Sequence, residues 1–229
     1  MKREYLRIIT VMIAVAALFG SVVSGIYIGS RETLTRNRAI RLQRAYVEVF
    51  DYGDPDDLSD EEITRIVDTR IDDTLDPVID PESGEGIEVI KAYESAGHSE
   101  LTGIGFRFRG LGFWGPIEGI LALTPDLQKT LDIFILRQQE TPGLGGRIEE
   151  EIFTGAFEDG LDVSKPRKGT KWIQISATAP PSDSPLKGRH VDAITGATQT
   201  CIAMERILNQ ELARFRRALA GTEPDASRR

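Results

Sequence analysis

Hydrophobic positions along the chain follow three different periods. From Ile8 to Ile28, 21 consecutive residues carry no charge (IITVMIAVAALFGSVVSGIYI). At ~1.5 Å rise per residue, a helix of that length spans a hydrocarbon core of ~30 Å. Over residues 31–50 the apolar positions Ala39, Leu42, Tyr46, Val47 and Phe50 fall on a helical stripe, which predicts a helix leaving the membrane. A short helix with Ile63, Ile66 and Val67 on one face follows. Beyond a loop marked by Pro77, Pro81, Gly84 and Gly86, the pattern shortens to strand-like runs at Ile87–Tyr93, Ile104–Arg109, Ile117–Leu123, Leu131–Arg137 and Lys171–Thr178. Glu149–Phe157 reads as a short helix. Ala197–Ala220 reads as a long one, with Cys201, Met204, Leu208, Leu212, Phe215 and Leu219 three or four residues apart. The expected fold is α+β, an antiparallel sheet packed with helices and preceded by one N-terminal transmembrane helix. The expected organisation is an anchor over 1–30, a helical and acidic connecting segment over 31–84, one domain over 85–220 and a frayed tail over 221–229.

The apolar run is read as a retained single-span anchor rather than a cleaved signal peptide, because a signal h-region is typically ~7–15 residues. Val23-Ser24-Gly25 is the small-residue stretch a cleavage reading would use. Gly20, Ser21, Ser24 and Gly25 permit close helix packing in a membrane, and they are also common in lone anchors. Lys2, Arg3 and Arg7 precede the run, whereas Arg31, Arg36, Arg38, Arg41 and Arg44 follow it. A plain positive-inside count therefore places the large domain inside the cell, although long domains are exported despite their charge.

Composition narrows the chemistry. The 229 residues hold 28 Lys+Arg against 36 Asp+Glu, a net charge of −8, which argues against a nucleic-acid partner. One Cys excludes an internal disulfide framework and a Cys₄ metal or iron–sulfur site, and two His leave little for a His-based metal centre. No catalytic triad or metal-ligand spacing is present, so neither a catalytic residue nor a metal site is expected. Seven of the twelve residues 51–62 (DYGDPDDLSDEE) are acidic. A solvated turn ending in a capping box, Ser59 with Glu62, fits them better than a calcium loop, since the EF-hand pattern is missing.

Three glycine-bearing segments remain. Gly112-Phe113-Trp114-Gly115-Pro116-Ile117 is a tight turn with two aromatics, either a flat binding surface or a hairpin staple. Glu140-Thr141-Pro142-Gly143-Leu144-Gly145-Gly146 lets backbone N–H groups approach a ligand closely, or simply links a strand to a helix; it lacks the Lys of a P-loop. Asp192-Ala193-Ile194-Thr195-Gly196-Ala197-Thr198-Gln199-Thr200 places three hydroxyls where a loop becomes the long helix. Thr195 or Thr198 is an N-cap on one reading. On the other, a phosphoryl group on Thr198 faces free N–H groups and the positive end of the helix dipole, worth roughly 0.3–1 kcal/mol when exposed. Asp192 either caps the turn or helps hold a metal during attachment.

Residues 192–198, DAITGAT, resemble the recognition motif for covalent flavinylation, and ETPGLGG and GLGFWGPI resemble further signatures of the FMN-binding domain family. With the N-terminal span, the order is similar to the C component of the sodium-translocating NADH:quinone reductase, and also to the G component of the Rnf complex. The resemblance covers the anchor and roughly residues 85–215. Trp114–Ile117 and Asp126-Leu127 match the pattern of the C component, whereas Arg137-Gln138-Gln139 stand where a His is frequent. The resemblance implies FMN joined by a phosphoester to Thr198 and placed there by a flavin transferase. Thr195, Gly196, Ala197 and Thr200 would lie around the phosphate. Glu140, Thr141, Gly143, Leu144 and Gly145 would lie near the ring or ribityl chain, with Trp114 shielding the ring. It further implies a redox component without an independent catalytic site, partnered by other membrane subunits, with its soluble domain on the periplasmic side of a bacterial inner membrane.

Overall fold

The structure, a computed structural model, describes residues 2–74, 76–167 and 169–222. The last seven residues of the expected tail lie outside the described residues. The chain divides into two units at Arg41/Leu42.

In the first unit the apolar run is helical throughout, and Arg3–Arg31 is long and apolar enough to cross a membrane. Its described side chains are exposed. Thr10 and Ser21 donate their hydroxyls to the carbonyls of Leu6 (2.9 Å) and Ala17 (2.7 Å), so both hydroxyls are satisfied within the helix. No break separates the span from the next predicted helix: α1 runs from Lys2 to Val49.

The second unit is built on a five-stranded antiparallel sheet in the order β1 (Ile71–Asp72), β4 (Val89–Tyr93), β5 (Leu101–Leu111), β6 (Pro116–Leu123), β7 (Thr130–Arg137). The two longest neighbours pair from Ile104↔Leu123 to Leu111↔Pro116. A small hairpin, β2 (Val78–Ile79) and β3 (Gly86–Ile87), occupies the predicted 77–86 loop. Residues 171–178 contribute less strand than expected. Only Gln174–Ser176 (β8) is extended, and it pairs in parallel with His190–Asp192 (β9), outside the main sheet. The backbone N–H groups of Trp172 and Ile173 are taken instead by Asn209 Oδ1, and that of Ile175 by Glu205 Oε2, so side chains replace a neighbouring strand. The predicted helix at 149–157 starts two residues late, as α3 (Glu151–Glu158), behind a 3₁₀ turn at Gly145–Glu149. The long helix is α4 (Thr198–Thr222).

Both faces of the sheet are covered. On one, Phe106, Phe108, Leu121 and Ile133 pack with Phe153 and Phe157 of α3 and with Met204, Leu208, Leu212 and Phe215 of α4. Phe106 and Phe215 stack at 4.4 Å. On the other, Ile90, Ile120 and Ala122 meet Ala45, Tyr46, Val49 and Phe50 from the end of α1, and Ile63 and Val67 of α2 (Asp60–Arg70). Of the stripe read from sequence, Ala39 is exposed and Leu42 half-buried; Ala45 and Val49 join it, since the buried arc is set by where the helix meets the sheet. The capping box forms as predicted: Ser59 Oγ accepts from Glu62 N–H, and Glu62 accepts from Ser59 N–H at 3.0 Å. Among the described residues, no set of three or more His, Cys, Asp or Glu side chains is placed to hold a metal ion.

Ion pairs pin the β2–β3 hairpin to α4. Asp80, fully buried, accepts two bonds from Arg217 at 3.0 Å and one from Ser83, and Arg217 holds its carboxyl well below the usual carboxylate range. Asp132 of β7 has the opposite surroundings. Burial, reinforced by Glu48, Glu158 and Asp51, pushes its pKa up to about 7. The folded chain therefore holds this proton across about pH 4 to 7, where the unfolded chain releases it near 3.9. Stability is lost as pH rises through that window. Asp132→Asn removes the loss, so the variant and the parent should melt together near pH 4, with the variant melting higher at pH 8. Thermal unfolding at the two pH values measures this.

Candidate functional site

The three glycine-bearing segments come together at one end of the sheet. Gly112–Gly115 is the hairpin turn between β5 and β6, closed by Gly112 N–H donating to Gly115 O at 2.8 Å. Phe113 and Trp114 form its tip, edge to face at 4.9 Å, with Trp114 66% exposed. The 138–144 segment leaves β7. It turns where Thr141 O accepts from Leu144 and Gly146 N–H (3.1 and 3.0 Å), then enters the 3₁₀ turn. The third segment leaves β9 and tightens where Ala197 N–H donates to Ile194 O at 3.0 Å. It passes Gly196 at φ +82°, a conformation natural to glycine, and starts α4 at Thr198.

Glu140 fastens the three together. Its carboxylate is 5% exposed. Oε1 accepts from the N–H groups of Phe113 (2.9 Å) and Trp114 (3.0 Å), and Oε2 accepts from Thr200 Oγ1 (2.6 Å). All three bonds are donated to it, as suits an acceptor-only carboxylate. Gln138 Oε1 accepts from Glu140 N–H at 2.6 Å, so a residue in the stretch where a His was expected orients this carboxylate's backbone. The glycines around it are required by closeness. A Cβ at Gly112 would lie 2.5 Å from Glu140 Oε1, and one at Gly145 would lie 2.9 Å from Glu140 Cβ and would also strike Thr200 Oγ1.

Between the segments lies a cavity of about 310 Å³. Trp114, Glu140, Thr141, Leu144, Gly145, Gly196, Ala197, Thr198 and Thr200 line it; Gly143 and Thr195 do not. Phe113 and Gln199 also line it and were not singled out from sequence, although each sits inside a motif that was. Thr200 is buried with its proton committed to Glu140, so it is not a free donor to the cavity. Capping does not occupy the other threonines. Among the described residues neither the Thr195 nor the Thr198 hydroxyl is hydrogen-bonded, and both residues are exposed. Thr198 is already the first helical residue, and Ala197 before it has no side-chain acceptor. The first intrahelical bond is Cys201 N–H to Ala197 O, so the N–H groups at 198–200 are left for solvent or a ligand. Cys201 itself is buried; its sulfur accepts from Ile194 N–H at 3.3 Å, and burial raises its pKa.

Because Gly145 sits between Glu140 and Thr200, Gly145→Ala must push the two apart. The expected cost is ~1–3 kcal/mol, as for overpacking elsewhere. A lower urea midpoint of the detergent-solubilised chain, with secondary structure retained by circular dichroism, checks this.

Residues 112–213 match the FMN-binding domain family. The chain is 33% identical over 120 residues to the C component of the Na(+)-translocating NADH-quinone reductase of Chlamydia trachomatis serovar D, a match covering 48% of this chain and 38% of that protein. It is 42% identical over 72 residues to the G component of the proton-translocating ferredoxin:NAD(+) oxidoreductase complex of Clostridium ljungdahlii, covering 30% of this chain and 38% of that one. The match thus spans under two fifths of each of these curated relatives. The crystal structure of Shewanella oneidensis NqrC has the same fold, with a TM-score of 0.63 at 18% identity over 82% of this chain and 98% of that one. Over residues 112–213 this chain is thus similar to FMN-binding domains, and it resembles the C and G components of those two redox complexes.

Proposed function

We propose that this protein is a membrane-anchored electron carrier whose FMN is joined by a phosphoester to Thr198, working within an ion-translocating NADH:quinone oxidoreductase as one of its subunits. One observation carries the reading: an unbonded, exposed hydroxyl at the uncapped N terminus of a 25-residue helix faces a cavity walled by two further motifs, inside a stretch that matches the FMN-binding domain. The Clostridium ljungdahlii relative makes an Rnf-type complex the second home for the same chemistry.

The residues present suit this cofactor. Thr198 supplies the ester oxygen, and the N–H groups at 198–200 with the positive end of the α4 dipole offset the phosphate charge. Gly196 and Ala197 bring backbone, not bulk, to that group. Thr141, Leu144 and Gly145 offer backbone and apolar contacts along one wall, and Trp114 presents an aromatic face at the mouth. When bound, FMN supplies the redox chemistry, accepting and releasing electrons; the chain fixes its place and shapes its surroundings. A covalent tether holds the cofactor at high effective concentration beside a membrane partner. Thr195 and Gly143 shape the turns that bear these groups without lining the cavity.

In this reading residues 1–30 anchor the chain in a bacterial inner membrane, 85–220 form the flavin domain, and the domain faces the periplasm, where a flavin transferase loads it. The other membrane subunits of the complex exchange electrons with it.

Coexpression with a flavin transferase should give a band that fluoresces under ultraviolet light after denaturing electrophoresis, and Thr198→Ala should abolish the signal. Fluorescence persisting in that variant would move the attachment to Thr195, and a dark parent band would leave a module for a non-covalent ligand. Protease added to intact spheroplasts should remove the domain; its survival would place it in the cytoplasm.

A further inference from the structure

Glu140 is the one ionisable side chain among the described residues lining the cavity, and no lysine or arginine joins it there. It is buried, its position is fixed by three donors, and one of its ~4 lone-pair sites remains unused. A structural clasp alone does not require charge, because a neutral amide of the same size accepts the same two backbone N–H bonds and donates to a threonine oxygen. From this we infer that the negative charge of Glu140 acts on the bound flavin, holding its reduction potential down, while its hydrogen bonds position the Phe113–Trp114 turn and the start of α4. The inference rests on the function proposed above.

The physical argument is one of sign. Two-electron reduction of a flavin with uptake of one proton from water leaves it one unit more negative. A buried, fixed anion with no counter-cation on the cavity wall opposes that gain, and its burial keeps the effective dielectric around it below that of water. The N terminus of α4 supplies a partial positive charge at Thr198, which suits a phosphate. Glu140 bonds Thr200, two residues further along the same helix, so the cavity carries charges of opposite sign close together.

The test uses the full chain loaded by the transferase, with dithionite as the electron source in a mediated spectroelectrochemical titration at constant pH. Glu140→Gln keeps the shape and the acceptor for the two backbone N–H groups, reverses the bond to Thr200 and removes the charge. It should retain the denaturation-stable fluorescence and raise the reduced:oxidised ratio at fixed potential at least tenfold, a positive midpoint shift of about 30 mV for a two-electron couple. Thr200→Val keeps the charge while removing one bond, and its midpoint should not rise. A Gln variant with the parent midpoint overturns the inference, as does an equal rise in both variants, which would assign the shift to geometry. A Gln variant that takes up no flavin overturns it too, since the neutral isostere would then have failed to hold the site. A parent chain without covalent flavin would instead strike the functional proposal, before any midpoint is read.

Discussion

Two backbone N–H groups at a hairpin tip and one threonine hydroxyl at a helix start all point at the same carboxylate. Glu140 is thereby the meeting point of three segments that are distant along the chain, 26 to 27 residues on one side and 60 on the other. A buried carboxylate without partners is costly, so the turn, the 138–144 segment and α4 must all arrive in register for any of them to be settled there. The cavity at this end of the sheet follows from that requirement. Its walls are the backbones that Glu140 holds, and its glycines are the places where those backbones come too close for a side chain.

Helix α4 transmits the same constraint to the rest of the second unit. Its apolar face fills the core against β5, where Phe106 and Phe215 stack. Its polar side chains finish the hydrogen bonding of neighbouring elements. Asn209 and Glu205 take the backbone N–H groups of the β8 segment, Arg216 donates to the carbonyls of Leu127 and Val163, and Arg217 grips the buried Asp80. The helix that presents Thr198 at one end is thus clamped along its length. A site placed on such an element is held more closely than one placed on a loop.

Much of the fold was legible because it rests on local rules. The uncharged run from Ile8 to Ile28 reads as one long apolar helix, Ser59 and Glu62 announce a capping box by their spacing, and alternation locates four strands of the main sheet. The errors share a cause. Ala39 lies on the right stripe but above the buried arc, residues 171–178 alternate like a strand but pair with side chains of α4, and α3 begins after a 3₁₀ turn that shares the Gly145–Glu149 stretch. In each case the outcome depended on what lay opposite in space.

The site divides along the same line. Sequence alone determined the ingredients: the DAITGAT spacing that ends on Thr198, the glycines and the aromatic pair, each recognisable within a few consecutive residues. Only the tertiary structure decided that Thr200 donates to Glu140, that Thr195 and Gly143 fall outside the cavity, and that Phe113 and Gln199 fall within it. Such pairings are set by strand register and by where α4 docks. A hydrogen bond of 2.6 Å between residues 60 apart leaves no periodic trace along the chain that makes it.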